Sequence, residues 1–268
     1  MPGIMTNGIR TQYEIQGQGP VIIFVSGLGG TAAYWQPQVE AFSRDFTVVT
    51  YDQRGAGRSE HPAGPYSIET LTEDLHALIE GLQLKRPVLI GHSTGGAIGQ
   101  VLAARYPDLL AGMVLYASWA KSDQHFNWCF RMRRALLMGS TLEEYVHGSA
   151  LFLYPPEHIK THADVLSPAL LASATRFPER DVILSRIDAI MAHDATALLP
   201  LIQTPTLVAC AQDDILTPPY QSRLLAGAIP GATLNIVPQG GHSFSETETS
   251  TFNQIAHDFL AGINPSAH

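Results

Sequence analysis

Ser93 sits in Gly91-His92-Ser93-Thr94-Gly95, between the apolar run Val88-Leu89-Ile90 and a helix-like stretch from Gly95 to Arg105. This is the pattern of a nucleophile elbow: the serine is lifted on a strained turn, and the helix start behind it offers orphan N–H groups to a developing oxyanion. Gly91 and Gly95 omit side chains that would crowd such a turn. A serine hydroxyl is a weak nucleophile at neutral pH, so it needs a base within reach and a third group to orient that base. Two later stretches can supply them. Ala211-Gln212-Asp213-Asp214-Ile215-Leu216-Thr217-Pro218 follows one apolar run, and Pro238-Gln239-Gly240-Gly241-His242-Ser243 follows the next. Ser93, an acid at Asp214 or its neighbour Asp213, and His242 are the candidate catalytic set, and their chemistry is acyl transfer through a serine.

The elements that must position these residues alternate between strand and helix. Residues 9 to 25 hold two or three strand-like runs, and the last, Val21-Ile22-Ile23-Phe24-Val25, is apolar on both faces, as a central strand is. It opens into Ser26-Gly27-Leu28-Gly29-Gly30, where backbone can approach a ligand closely. The N–H groups of Leu28 and Thr94 are the candidate oxyanion donors. A short helix is expected from Trp35 to Phe42, a strand at Thr47 to Tyr51, and a helix after the N-cap Ser67, where Ile68, Leu71, Leu75, Leu78, Ile79 and Leu82 recur at helical spacing. The strand Met113 to Tyr116 follows the elbow helix. The rhythm then breaks from about Trp119 to Leu199, with short helical pieces and Pro155-Pro156, Pro168 and Pro178 as breaks. It returns with strands at Pro205 to Cys210 and Thr233 to Val237, each followed by a helix. Such alternation means an α/β fold, a mostly parallel sheet covered on both faces. Residues 1–118 and 200–268 would form the core domain and 119–199 an inserted helical cap.

The chain has 268 residues and a formal net charge of −8, with an isoelectric point near 5.7. Nucleic-acid and anionic-membrane binders need clustered Lys and Arg, and no basic run exceeds Arg131-Met132-Arg133-Arg134. Nothing resembles a membrane span or a signal peptide, so a cytoplasmic enzyme is the default. Cys129 and Cys210 are far apart and form neither a disulfide framework nor a zinc motif. No cofactor or metal is called for, the partner is a small-molecule substrate, and a monomer and a homodimer are equally compatible.

The chain resembles the α/β-hydrolases along its whole length. Members of that superfamily show Gly-x-x-Asp-x-x-x-Pro around the acid, which Asp214 to Pro218 fits with Ala211 in place of the glycine. The resemblance therefore favours Asp214 over Asp213. His242 after two glycines matches the superfamily's catalytic histidine, and Ser26-Gly27 stands where His-Gly is common. His92, just before the nucleophile, is expected to point into packing as a support. Asp52 to Ser59 resembles the Asp-x-x-Gly-x-Gly-x-Ser turn of the superfamily, a structural element in which Asp52 or Arg54 ties loops together near the site.

Closer similarity, to aminoacrylate hydrolases of pyrimidine catabolism and more distantly to 3-oxoadipate enol-lactonases, is suggested by Tyr34-Trp35-x-Pro37-Gln38, Tyr51-Asp52-Gln53-Arg54-Gly55, Cys129-Phe130-x-x-Arg133 and Leu151-Phe152-Leu153-Tyr154-Pro155. Members of the aminoacrylate group can lack the elbow serine. Its presence here implies an acyl-enzyme and hence esterase or lactonase chemistry, a carboxylic ester hydrolase. The alternatives are an enamine or carbamate hydrolase, and a cofactor-free perhydrolase or oxygenase on the same fold. Trp128, Phe130, Met132, Leu151, Phe152 and Tyr154 are candidates for the pocket under the cap, and Arg133 for meeting a substrate carboxylate.

Overall fold

The computed structural model describes residues 2–175 and 177–263. Strands β1 (Gly3–Thr6), β2 (Ile9–Gln16), β3 (Val21–Val25), β4 (Thr47–Tyr51), β5 (Val88–His92), β6 (Gly112–Tyr116), β7 (Thr206–Ala211) and β8 (Thr233–Val237) form one sheet in the order β1-β2-β4-β3-β5-β6-β7-β8. Among the described residues, only the β1–β2 and β2–β4 strand pairs are antiparallel; the remaining pairs run parallel. The expected mostly parallel sheet is thus present, with β1 a strand outside the runs expected from residues 9 to 25.

Alternation along the central strands divides the core. Ile22, Phe24, Val88, Ile90 and Val114 face one side, where α1 (Gln36–Phe42) and α10 (Thr249–Gly262) supply Val39, Phe42, Phe252 and Leu260. Ile23, Val25, Leu89, Met113 and Leu115 face the other, against Leu71, Leu75 and Leu78 of α2 (Ile68–Gly81) and Ile98, Val101 and Leu102 of α3 (Thr94–Arg105). Ser67 caps α2 as expected, its hydroxyl accepting from the Thr70 N–H at 3.0 Å.

Among the described residues, four α-helices lie between β6 and β7: α4 (Gln124–Gly139), α5 (Leu142–Leu153), α6 (Pro156–Ala174) and α7 (Arg180–Ala192). Pro168 was expected to break a helix, and it does not: α6 runs through it. The missing N–H leaves one carbonyl a turn earlier unpaired, and that is tolerable because Ala174 is the one residue of α6 that is fully buried, so water reaches most of the helix. Pro156 instead opens α6 at its first turn, where no N–H is needed. After β7 come α8 (Pro219–Ala228), then β8, the short α9 (Phe244–Thr247) and α10. Among the described residues, no helix is long and apolar enough to cross a membrane.

Candidate active site

Ser93 joins β5 to α3 with φ +52° and ψ −111°, a conformation that costs a non-glycine residue energy and that persists only where the surroundings impose it. Its N–H donates to the Tyr116 carbonyl at 2.8 Å, and its own carbonyl accepts from the Ser118 hydroxyl at 2.9 Å and the Gly96 N–H at 2.9 Å. A methyl on Gly91 would lie 2.5 Å from the Gly95 carbonyl oxygen, and one on Gly95 would overlap the Val25 carbonyl. Both glycines are therefore required by close backbone approach, as the motif implied.

Asp214 and His242 follow the C-terminal ends of β7 and β8, the same edge of the sheet that carries Ser93 after β5. His242 Nδ1 lies 2.9 Å from Asp214 Oδ2. A carboxylate only accepts, so this bond puts the proton on Nδ1 and leaves the Nε2 lone pair free. Asp214 is fully committed: Oδ1 accepts the N–H groups of Leu216 and Thr217 at 2.8 and 2.9 Å, and Oδ2 also accepts the Thr217 hydroxyl at 2.8 Å. Asp213 plays a different part. It is exposed, and its carboxylate accepts the Gly241 and Gly240 N–H groups at 2.8 and 3.2 Å, so it ties down the turn that carries His242. Of the two acids, Asp214 is the one that reaches the imidazole.

His92 is buried in the packing expected of it, stacked on Tyr34 at 4.7 Å and on Tyr116 at 4.6 Å. Its ring centroid lies 4.8 Å from that of His242, which brings the imidazole beside the residue preceding Ser93. Burial, and next the neighbouring His242, push the His92 pKa well below the usual histidine range. The ring is therefore neutral, and its Nε2–H donates to the His242 carbonyl at 3.1 Å, an acceptor shared with the Tyr116 hydroxyl at 2.9 Å.

The turn after β3 is apposed to the serine: a methyl on Gly27 would lie 3.3 Å from Ser93 Cβ. Its carbonyls are occupied from inside the protein. Ser26 O accepts from Gln53 Nε2 at 2.7 Å, Gly27 O from the Gly30 N–H at 3.0 Å, and Gly30 O from the Gln53 N–H at 2.8 Å. The N–H groups of Leu28 and Thr94 donate to no atom among the described residues, the state that a developing oxyanion would need. Asp52 does tie loops here, accepting from Ala32 and Arg58 N–H groups at 2.8 and 2.9 Å. Arg54 turns away, pairing with Asp74 of α2 at 2.7 Å.

The residues expected to line a pocket separate into two groups. Phe130 and Arg133 are buried on the inner face of α4, while Phe152 is half-buried against the core and Tyr154, at the end of α5, donates to Glu246 Oε2 at 2.7 Å. Trp128, Met132 and Leu151 are 63 %, 56 % and 62 % exposed, so the structure does not bring them together with the buried group. Helical phase explains the split, since Phe126, Phe130, Arg133 and Leu137 share the inner face of α4. Gln53, Tyr116 and Thr217 were not singled out from the sequence. Gln53 and Thr217 fall at unspecified positions of motifs and Tyr116 ends a strand, so only the fold brings them to the site.

Residues 20–143 match a family model described as alpha/beta hydrolase fold. A protein of Caulobacter segnis named "Putative carbamate hydrolase RutD" is 38 % identical over 256 residues, spanning 93 % of this chain and 96 % of that protein. Among solved structures, the enol-lactonase from Burkholderia xenovorans LB400 has a TM-score of 0.87 at 29 % identity, covering 97 % of this chain and 100 % of that one. MGS-M2, an alpha/beta hydrolase enzyme from a Medee basin deep-sea metagenome library, has a TM-score of 0.90 at 25 % identity, covering 97 % of each chain.

Proposed function

The chain belongs to the α/β-hydrolase family, and on that premise we propose that it is a serine hydrolase of small carboxylic esters or lactones. The observation that carries this reading is the buried His242–Asp214 bond at the same strand-end edge of the sheet as a serine held at positive φ. His242 Nε2 takes the proton of Ser93 as Oγ bonds to the carbonyl carbon, and the Leu28 and Thr94 amides receive the negative oxygen. The imidazolium returns that proton to the leaving alkoxide as the ester C–O bond breaks. Water, deprotonated by the same histidine, then cleaves the acyl-enzyme and releases the acid. One oxyanion donor is worth about 3 to 4 kcal/mol in a well-studied case, so two unpaired N–H groups are a substantial part of such a site.

Helices α4–α7 act in this reading as a cap, and Arg133 suggests what lies beneath it. The residue is 6 % exposed, its Nε donates to the Ser149 hydroxyl at 3.3 Å, and its guanidinium carbon lies 5.3 Å from the Phe130 ring centroid. Among the described residues, no carboxylate pairs with it. A cation removed from water without an anion is costly by several kcal/mol, and a substrate carboxylate would offset that cost. Asp123, the N-cap of α4, accepts from the Tyr220 hydroxyl and Gln221 Nε2 of α8 at 2.6 and 2.8 Å, which ties the start of this helix to the segment that follows Asp214.

The name of the 38 %-identical relative supports a second reading, in which the same machinery opens a carbamate. Hydrolysis of p-nitrophenyl acetate, butyrate and hemisuccinate, a small lactone and a p-nitrophenyl carbamate by wild type, S93A and R133M separates these readings. Ser93-dependent turnover of the esters, with R133M raising KM at least 10-fold for the hemisuccinate alone, supports the ester reading with an anionic acyl group. Turnover confined to the carbamate moves the assignment there, and ester turnover untouched by S93A removes the serine mechanism.

A further inference from the structure

The oxyanion turn is secured at its two ends by the core and at its tip by the helical insertion. Gln53 holds both ends, through its side-chain amide to Ser26 O and its own N–H to Gly30 O. The tip has no such support, since Gly29 is exposed and a methyl built there would meet nothing within 4 Å. Among the described residues, the single hydrogen bond on the Leu28–Gly29 peptide comes from Arg186 on α7, whose Nε donates to Leu28 O at 3.0 Å.

Arg186 is 3 % exposed. Its Nη1 donates to the Arg54 carbonyl at 2.6 Å and its Nη2 to Gln53 Oε1 at 2.6 Å, so three oxygens of the core fix the guanidinium plane. Burial lowers its pKa to about 10, which still leaves it charged at neutral pH. The Gln53 amide accepts from Arg186 on one atom and donates to Ser26 on the other, so one relay links α7 to the whole turn. Gly30 makes room for this: at φ +68°, a methyl there would lie 2.8 Å from Arg186 Nη2. The second glycine after Leu28 thus serves the arginine as well as chain reversal.

We propose that Arg186 is a positioning residue for the oxyanion donor at Leu28, and that it makes this donor correct only when the helical insertion is seated on the core. The inference rests on the serine-hydrolase reading above. Leu28 is set between the Gly27–Gly30 turn bond and the Arg186 bond, so removing the arginine frees the peptide that follows the donating N–H. Substrate binding is little affected, because the donor matters most once the carbonyl oxygen has become negative.

The test compares wild type, R186M and R186K, with S93A as the blank, using p-nitrophenyl butyrate, a trifluoromethyl ketone as a tetrahedral-adduct probe and butyrate as a ground-state ligand. R186M is expected to lose about 10- to 100-fold in kcat with KM within about 3-fold, part of the full effect of deleting a donor. Ketone affinity should fall in parallel while butyrate affinity holds, and R186K, which can still reach Leu28 O, should recover part of the loss. An R186M kcat within 3-fold of wild type overturns the inference alone, as does an equal loss for ketone and butyrate. Absence of Ser93-dependent turnover in wild type overturns the inference together with the reading beneath it. Should R186M not fold, G30A displaces the guanidinium from the other side and must show the same split between kcat and KM; unchanged kcat in G30A overturns the inference.

Discussion

His92 Nε2 lies 3.1 Å from the main-chain oxygen of His242, so the residue before the elbow serine braces the turn that carries the imidazole. The bond is buried, and the His92 ring is wedged between two tyrosines. His92→Phe keeps the stacking and loses the donor. It should destabilise the fold by about 1 kcal/mol, the net worth of a buried hydrogen bond, and lower kcat because the His242 turn is held by one donor fewer. Urea denaturation with parallel kinetics checks this, and an unchanged kcat with an unchanged midpoint would refute it.

His193 gives stability a pH dependence of definite sign. Burial depresses its pKa from 6.5 to about 4, its Nε2 has no hydrogen-bond partner among the described residues, and the Trp119 ring stands edge-on at 5.7 Å. Between those pH values the unfolded chain binds a proton that the native state refuses. Stability present above pH 6.5 is therefore lost as pH falls, by up to about 3 kcal/mol near pH 4. His193→Phe should flatten that part of the curve of unfolding free energy against pH; a slope identical to wild type would contradict the assignment.

Glu246 behaves in the opposite sense. Burial raises its pKa, with the Tyr154 hydroxyl the one bond opposing the shift. A carboxyl whose native pKa is raised supports folding at low pH and costs stability as pH rises through that value. Glu246→Gln should therefore raise Tm at pH 8 and have little effect near pH 4. A thermal scan at the two pH values decides the point, and an equal Tm change at both would count against it.

Two glycines of the candidate site should differ sharply. Gly95→Ala drives a methyl into the Val25 carbonyl and is expected to cost about 3 kcal/mol or to prevent folding. Gly29→Ala meets nothing within 4 Å and its φ is not positive, so its Tm should stay within a few degrees of wild type. Thermal unfolding of the pair tests whether close packing, not motif membership, sets the requirement.

The parts of the fold legible in the sequence are those whose signal is local. Val21-Ile22-Ile23-Phe24-Val25 could only be a two-sided strand, and Ser67 with its helical leucines could only open a helix; both stand where expected. Ser93 declared itself through glycines that the backbone needs on either side. The choice between Asp213 and Asp214 depended on the phase of the turn after β7, which adjacent identical residues do not reveal. Arg186 and Gln53 lie 133 positions apart and meet through the insertion, so no window of sequence could join them. Pro168 misled because propensity describes a helix in isolation, whereas a solvent-exposed helix can hand its spare interior carbonyl to water.

The central claim is that Ser93 forms the acyl-enzyme, and covalent labelling tests it most directly. Wild-type protein treated with a fluorophosphonate at pH 7.5 should gain one adduct by intact mass, located on the peptide containing Ser93. S93A should gain none, and H242A should react at least about 100-fold more slowly because the hydroxyl loses its base. An adduct on another residue, or equal labelling of wild type and S93A, would contradict the account.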